Sequence, residues 1–281
     1  MGNPWFEWIG ILLYAWMFFM KLIDFHTHIY PEKIAKKATD YLRQFYNLKS
    51  DWPGISENLL IFGQAAGISK FVVLPVATRA DQVRKINQFA INENNEHEEY
   101  ITFGTVHAAQ ENIVDELKFI CDSGLRGIKM HPDQQDFAID DKRLFDFYDA
   151  AQQINFPILF HCGDPRSDLS HPKRVMNILK QFPKLNIVAA HFGGWRIFDE
   201  AKEILKDAPC HFDMSSSMYF LGPQKTADMI HTYGAEKIFF GTDFPLWETA
   251  DEVKKFLELP ITDEEKELIG YKNAERFFGI E

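Results

Sequence analysis

From Lys21 onward the apolar positions alternate between two regimes. Short runs of strand character, each closing near a polar or Gly-containing turn, occupy Leu22–His28, Lys70–Val76, Ile101–Val106, Gly127–His131, Pro157–His161, Asn186–His191, His211–Ser215 and Lys237–Asp243. Between them lie segments with apolar residues spaced by three and four, such as Ala80–Asn94, Asn112–Ser123, Asp141–Ile154, Pro172–Gln181, Asp199–Lys206 and Gln224–Tyr233. Leu117, Ile120 and Cys121 form one such stripe. Strand and helix alternate throughout with no linker rich in Pro, Gly or Ser. This predicts an α/β protein built as a single closed parallel (β/α)8 barrel with its helices outside, one domain over residues 21–281. The alternative is an open doubly wound sheet. Such a sheet usually carries a Gly-rich loop after its first strand, where this chain has His26-Thr27-His28.

Residues 1–20 stand apart as an apolar N-terminal extension, nearly uninterrupted from Trp8 to Met20. The run is shorter than the ~17–25 residues of a membrane-spanning helix, follows Glu7 instead of a basic flank, and precedes no small-residue cleavage site. It reads as a helix lying on a membrane or partner surface, as a weak anchor, or as sequence upstream of a true start at Met20. The last is favoured because Lys21 begins a strand at once, and membrane contact is expected only if residues 1–20 are genuine.

Charge narrows the partners. With 30 Lys and Arg against 41 Asp and Glu, the net charge of −11 disfavours nucleic acid. A composition of 46% hydrophobic and 25% charged residues is that of a folded globular chain. Cys121, Cys162 and Cys210 are odd in number and widely spaced. They suggest neither a disulfide framework nor a cysteine zinc site, and a reducing cytoplasm is the expected compartment.

Active sites of such barrels lie at the C-terminal ends of the strands. There this chain places Asp24-Phe25-His26-Thr27-His28, Lys129-Met130-His131, His161, His191 and Asp243. Side chains alternate along a strand, so His26 and His28 share a face and can share one metal ion, and Lys129 lies beside His131. By the same parity Asp24 is expected to stand with His26 and orient a ligand. Each histidine alone could be a satisfied core residue. Five imidazoles, an ammonium and two carboxylates around one axis need compensation, which a divalent cation would provide. Imidazole and carboxylate donors suit zinc, manganese or iron, and the absence of cysteine ligands favours a catalytic site with an open position.

These motifs, with Gly127-Ile128-Lys129-Met130-His131-Pro132, Phe160-His161-Cys162-Gly163-Asp164, Ala190-His191-Phe192-Gly193-Gly194 and Phe240-Gly241-Thr242-Asp243-Phe244-Pro245, resemble the amidohydrolase superfamily. The similarity is to the branch containing aminocarboxymuconate-semialdehyde decarboxylase, from Lys21 to the C-terminus. The resemblance implies that His26, His28, His161 and Asp243 bind one divalent metal, zinc first, with manganese or iron as alternatives. It implies that His191 orients or deprotonates the metal's water and that Asp243 relays the proton. The expected activity is hydrolysis of a small amide, lactone or ester. The alternative is non-oxidative decarboxylation of a small aromatic or unsaturated acid at the same metal. Binuclear relatives carry a carboxylated lysine or a glutamate on strand four, and here Lys129 and His131 stand in that neighbourhood.

An unmodified Lys129 suits a substrate carboxylate, and His131, Arg166 and Trp195 are further candidate substrate contacts, which makes the expected partner a small, possibly anionic molecule. Arg166 reads equally well as a surface residue paired with Asp164 or Asp168. Ser215, Ser216 and Ser217 are expected to hydrogen-bond at the rim, and His97, His107, His171, His211 and His231 to be surface or helix residues. Asp263, Glu264, Glu265 and Glu267 read as a helix start capped by Thr262. Homodimers are usual among such relatives.

Overall fold

The computed structural model describes residues 20–48 and 52–280, so the expectation for the extension lies outside the described residues, save for Met20, which is buried. The alternation is realised as β1 (Leu22–Thr27), β2 (Ile68–Val73), β3 (Tyr100–Thr102, resumed after Phe103 as Gly104–Thr105), β4 (Ile128–Met130), β5 (Ile158–Phe160), β6 (Ile187–Ala189), β7 (His211–Asp213) and β8 (Ile238–Phe239). All paired neighbours are parallel. Phe103 N–H donates to Val73 and Gly104 N–H to Gly127, which carries the ladder through the break in β3. The barrel closes where the N–H groups of Phe25, Asp243 and His28 donate to the carbonyls of Phe240, His26 and Phe244, each at 2.8 Å. Closure leaves no sheet edge.

The strands are shorter than the apolar pattern suggests. Beyond Val73 or Met130 the chain leaves the ladder, yet its apolar residues stay buried under the loops of the barrel mouth, so the pattern outlasts the pairing. Along the strands, Ile23, Phe25, Val72, Leu159, Val188 and Phe239 form an inner cluster closed below by Phe278. Leu22, Phe71, Ile128, Met130, Ile158 and Phe160 join the larger cluster beneath the helices. Phe25 and Phe239 stack at 3.8 Å in the barrel's base.

β1 breaks its own alternation. Asp24 pairs with Phe71 and Thr27 with Val73, three residues advancing against two, which is a β-bulge. The extra residue lets Ile23 and Phe25 fill the base while His26 and His28 turn into the cavity above it. Asp24 therefore does not share His26's face, and the expected role as a ligand-orienting partner is corrected. Its carboxylate accepts from the Thr242 hydroxyl, from Thr242 N–H at 2.9 Å and from His26 N–H at 3.1 Å, tying β1 to the loop after β8.

Two helices, α1 (Glu32–Tyr46) and α2 (Ser56–Ala65), follow β1. The buried stripe of α1 runs Ala35, Thr39, Leu42, Tyr46, and its end delivers Leu42 and Tyr46 to the barrel mouth before Asn47 stops the helix in the left-handed region. Thr262 forms the expected capping box with Glu265. Among the described residues no helix is long and apolar enough to cross a membrane.

Candidate metal centre

A cavity of about 440 Å³ opens at the C-terminal end of the barrel and is lined by His26, His28, Lys129, His131, His161, His191 and Asp243, with Tyr46, Trp195 and Leu246 among its walls. The hydrogen bonds behind the imidazoles decide what they present to it. His28 Nδ1–H donates to the Leu74 carbonyl at 2.6 Å. His26 Nδ1–H donates to Asp213 Oδ2 at 2.9 Å. Each ring thus keeps a lone pair on Nε2, and the two Nε2 atoms face each other at 3.2 Å. Asp243 Oδ1 lies 3.4 Å from His28 Nε2 and 3.7 Å from His26 Nε2.

A second facing pair stands beside the first. His191 Nδ1–H donates to the Ser215 carbonyl at 2.9 Å, and His161 Nε2–H to the Gly163 carbonyl at 3.0 Å. His191 Nε2 and His161 Nδ1, both lone-pair atoms, then approach to 3.0 Å. Five acceptor atoms meet in one cavity, and the donor that reaches them is Lys129, whose Nζ is 3.1 Å from His26 Nε2. Such a set repels itself unless a positive charge sits within it, so the residues present fit a divalent cation.

Electrostatics agree. Burial, helped by Lys129, pushes His26 down to about 3, and burial likewise lowers His131, His161 and His191. Burial pulls the Lys129 ammonium down to about 8. Burial opposes the charge of Asp243, but the imidazoles around it, His26 foremost, hold the carboxyl well below its usual range. The backbone is strained at the same place: Asp243, His191 and Ser216 adopt φ of 59°, 58° and 53°. Left-handed backbone costs a non-glycine residue roughly 1–2 kcal/mol and gathers at functional sites.

Of the expected ligands, His26, His28 and Asp243 converge as one group. His161 also lines the cavity, 3.0 Å from His191, but lies outside that group. Lys129, His131 and Trp195, the candidate substrate contacts, line the cavity. Arg166 does not. Its guanidinium pairs with Asp164 at 2.6 Å and donates to the Phe45 carbonyl at 2.7 Å, clamping the end of α1. Ser215 donates to Asp213, while Ser216 donates to Asp243 and accepts from Trp247 Nε1 at 2.7 Å. His107 is buried in the loop after β3, and His211 opens β7 stacked on Phe239, so neither is the expected surface or helix residue.

Sequence reasoning missed Asp213 and Tyr46. Asp213 is wholly buried and stands behind His26 as the partner that fixes its tautomer. The signal for it was its place as the last residue of the seventh strand. Tyr46, whose hydroxyl lies 2.6 Å from His131 Nε2 in a hydrogen bond, gave no signal, because only the fold carries α1 over the mouth.

A sequence model of the amidohydrolase family matches residues 23–280. The chain belongs to the amidohydrolase family. Solved structures share its barrel. An uncharacterised TIM-barrel protein from Bordetella bronchiseptica superposes with a TM-score of 0.77 at 20% identity, covering 92% of this chain and 99% of its own. A dihydroxybenzoic acid decarboxylase from a Polaromonas species, with bound manganese and 2-nitroresorcinol, gives 0.71 at 16% identity over 92% and 97%. A probable 2-pyrone-4,6-dicarboxylic acid hydrolase from Acinetobacter baumannii, with citric acid bound, gives 0.68 at 17% identity over 93% and 100%. Amidohydrolase-family barrels thus include decarboxylases and hydrolases, and this chain is an enzyme of that family with a donor set suited to a divalent metal.

Proposed function

We propose that this amidohydrolase-family chain is a metal-dependent hydrolase of a small amide, lactone or ester. The observation that carries the reading is the convergence of aprotic His26 Nε2, His28 Nε2 and Asp243 Oδ1 within 3.2–3.7 Å in the cavity at the barrel mouth. These three would hold one divalent ion, zinc first, with His161 the fourth ligand. The ion would bring a water's pKa from about 15.7 toward neutrality and polarise the substrate carbonyl.

The chain's own groups do the rest. His191 Nε2, its other nitrogen tied to Ser215, faces the cluster and orients the attacking water. Asp243 accepts that water's proton and returns it to the leaving group. Tyr46, Trp195, Leu42 and Leu246 wall the cavity, exclude water and favour a small planar substrate.

Lys129 supports a second reading. Its ammonium is fully buried beside the cluster and forms no ion pair with any described carboxylate. A substrate carboxylate would supply that partner, and the same ligands would then serve non-oxidative decarboxylation, with Asp243 delivering the proton that replaces carbon dioxide. The test is to incubate metal-loaded protein with panels of lactones, esters, amides and hydroxybenzoic acids, and to follow acid release and carbon dioxide in parallel. Acid release supports hydrolysis, and carbon dioxide supports the second reading. A chain that binds no zinc, manganese or iron overturns both.

A further inference from the structure

Behind His161 lies a buried carboxylate that the proposed reaction does not use. Asp133, in α3 (Pro132–Gln135 in the loop after β4), has a side chain 4% exposed, and neither of its oxygens has a hydrogen-bond partner. The hydroxyls of Ser167 and Ser170 lie beside it, and Ser170 Oγ is also without a partner. Two imidazoles reach toward the same place. His161 Nε2 is 4.0 Å from Asp133 Oδ2, and His131, whose Nδ1 is buried and unpartnered, belongs to the same close group.

This group does not suit an ion held by both rings. His131 and His161 are stacked, centroids 3.9 Å apart and 8° from parallel. An imidazole lone pair lies in its ring plane, so the lone pairs of parallel rings do not converge on one centre. A carboxylate facing two ring nitrogens has another effect: it favours an N–H on each, through space and through a bridging water.

The consequences run outward into the cavity. With Nε2–H turned toward Asp133 and the Gly163 carbonyl, His161 keeps its Nδ1 lone pair for the metal cluster. With Nδ1–H turned toward Asp133, His131 keeps its Nε2 lone pair, and the Tyr46 hydroxyl 2.6 Å away must donate to it. The phenol's proton is then committed, and its oxygen can only accept, from the Gln134 side chain beside it and from a ligand. We propose that Asp133 is a positioning residue that fixes the tautomers of His161 and His131, and that through His131 it makes Tyr46 an acceptor for a hydrogen-bond donor, an amide N–H or a hydroxyl, on the substrate. The substrate donor rests on the proposed function, whereas the tautomers do not.

The test uses the full metal-free chain carrying 15N-labelled histidine, in which long-range 1H–15N spectra report each ring's tautomer. The expected wild-type result is Nδ1–H at His131 and Nε2–H at His161. In Asp133→Asn, His131 shifts toward Nε2–H, and affinity for zinc or manganese alone falls about 10-fold or more. Tyr46→Phe leaves metal affinity unchanged and raises KM about 10-fold for substrates bearing the donor, and little for analogues lacking it. The opposite tautomer at either wild-type ring overturns the proposal, and this spectrum decides even if Asp133→Asn fails to fold. Unchanged tautomers and metal affinity in Asp133→Asn overturn it as well. So does loss of a second bound ion in that variant, which would make Asp133 a ligand. Absence of metal binding together with the expected tautomers would strike the proposed function and sustain this assignment.

Discussion

The Nε2 atoms of His26 and His28 face each other at 3.2 Å, while both ring protons are held elsewhere, by Asp213 and by the Leu74 carbonyl. Two lone pairs at that separation repel, and a cation between them relieves the repulsion only in the folded chain. Zinc or manganese added to chelated protein is therefore expected to raise the thermal unfolding midpoint, by the equivalent of about 2.7 kcal/mol at a hundred times Kd. His28→Ala should abolish the gain. Calorimetry of both proteins, with and without metal, checks this, and a wild-type midpoint indifferent to metal counts against the centre.

The same burial sets a pH dependence for the metal-free protein. His26 is held near 3, below the ordinary 6.5, so between those values the unfolded chain binds a proton that the native chain does not. Its contribution to stability is complete above about 6.5 and is lost as pH falls toward 3, by up to about 1.4 kcal/mol per pH unit. His131, His161 and His191 shift in the same direction. Asp24, which burial raises to about 7, and Asp133, which burial also raises, act oppositely: their contributions are complete near pH 4 and fade as pH rises. Four imidazoles outweigh two carboxyls, so urea midpoints are expected to fall from pH 7 to pH 4. A flat or rising profile would show that these rings are not buried neutral.

Asp213 stands behind His26, on the far side of the ring from the proposed metal centre. Its Oδ2 accepts from His26 Nδ1, and its Oδ1 accepts from the backbone N–H groups of His191 at 3.2 Å and Ser215 at 3.1 Å. Asp213→Asn should weaken metal binding about 10- to 100-fold. It should also cost about 1.5–3 kcal/mol of stability, because the buried His26 Nδ1–H loses its charged acceptor. Metal titration of the refolded variant, with denaturant melts alongside, separates the two losses.

The barrel was legible because its two periods alternate without interruption, and the centre was legible because strand ends are where a barrel keeps its chemistry. Asp24 was misplaced for a definite reason. Parity carries along a strand only while the register is regular, and the bulge between Asp24 and Thr27 inserts one residue that the apolar pattern does not reveal. Tyr46 and Asp133 were out of reach for a different reason. Tyr46 lies on a helix brought to the cavity by tertiary packing, with no local spacing that ties it to a strand end, whereas Asp133, two residues past His131, sits in a one-turn helix whose direction the strand pattern does not give. Arg166 was ambiguous because Asp164, two residues away, competes for the guanidinium, and the structure gives it to Asp164.

Lys129 separates stability from function. Its ammonium is buried without a carboxylate, and burial alone draws its pKa down to about 8. Lys129→Met keeps an unbranched side chain, one atom shorter, and removes the charge, so the metal-free variant should be as stable as the wild type or more so. One metal should still bind, while KM for an acidic substrate rises roughly 30-fold or more through loss of a buried charge pair. Unaltered kinetics on acids would remove Lys129 from substrate binding. Loss of a bound metal would make it a carboxylated bridging residue.

Gly163 joins backbone geometry to the centre. Its φ is +80°, and a Cβ there would lie 2.4 Å from Trp195 N and 2.5 Å from the Cα and carbonyl carbon of Gly194. The obstructing atoms are backbone, which cannot rotate aside as a side chain would. The Gly163 carbonyl is also the acceptor for His161 Nε2–H. In Gly163→Ala, left-handed backbone costs about 1–2 kcal/mol and overpacking about 1–3 kcal/mol, so a total of about 2–5 kcal/mol is expected from urea melts of the metal-free protein. Any displacement of the carbonyl also frees His161 to exchange tautomers, so metal affinity should fall even in the fraction that folds. A variant that loses stability but keeps wild-type metal affinity would show that the Gly163 carbonyl does not set how His161 meets the centre.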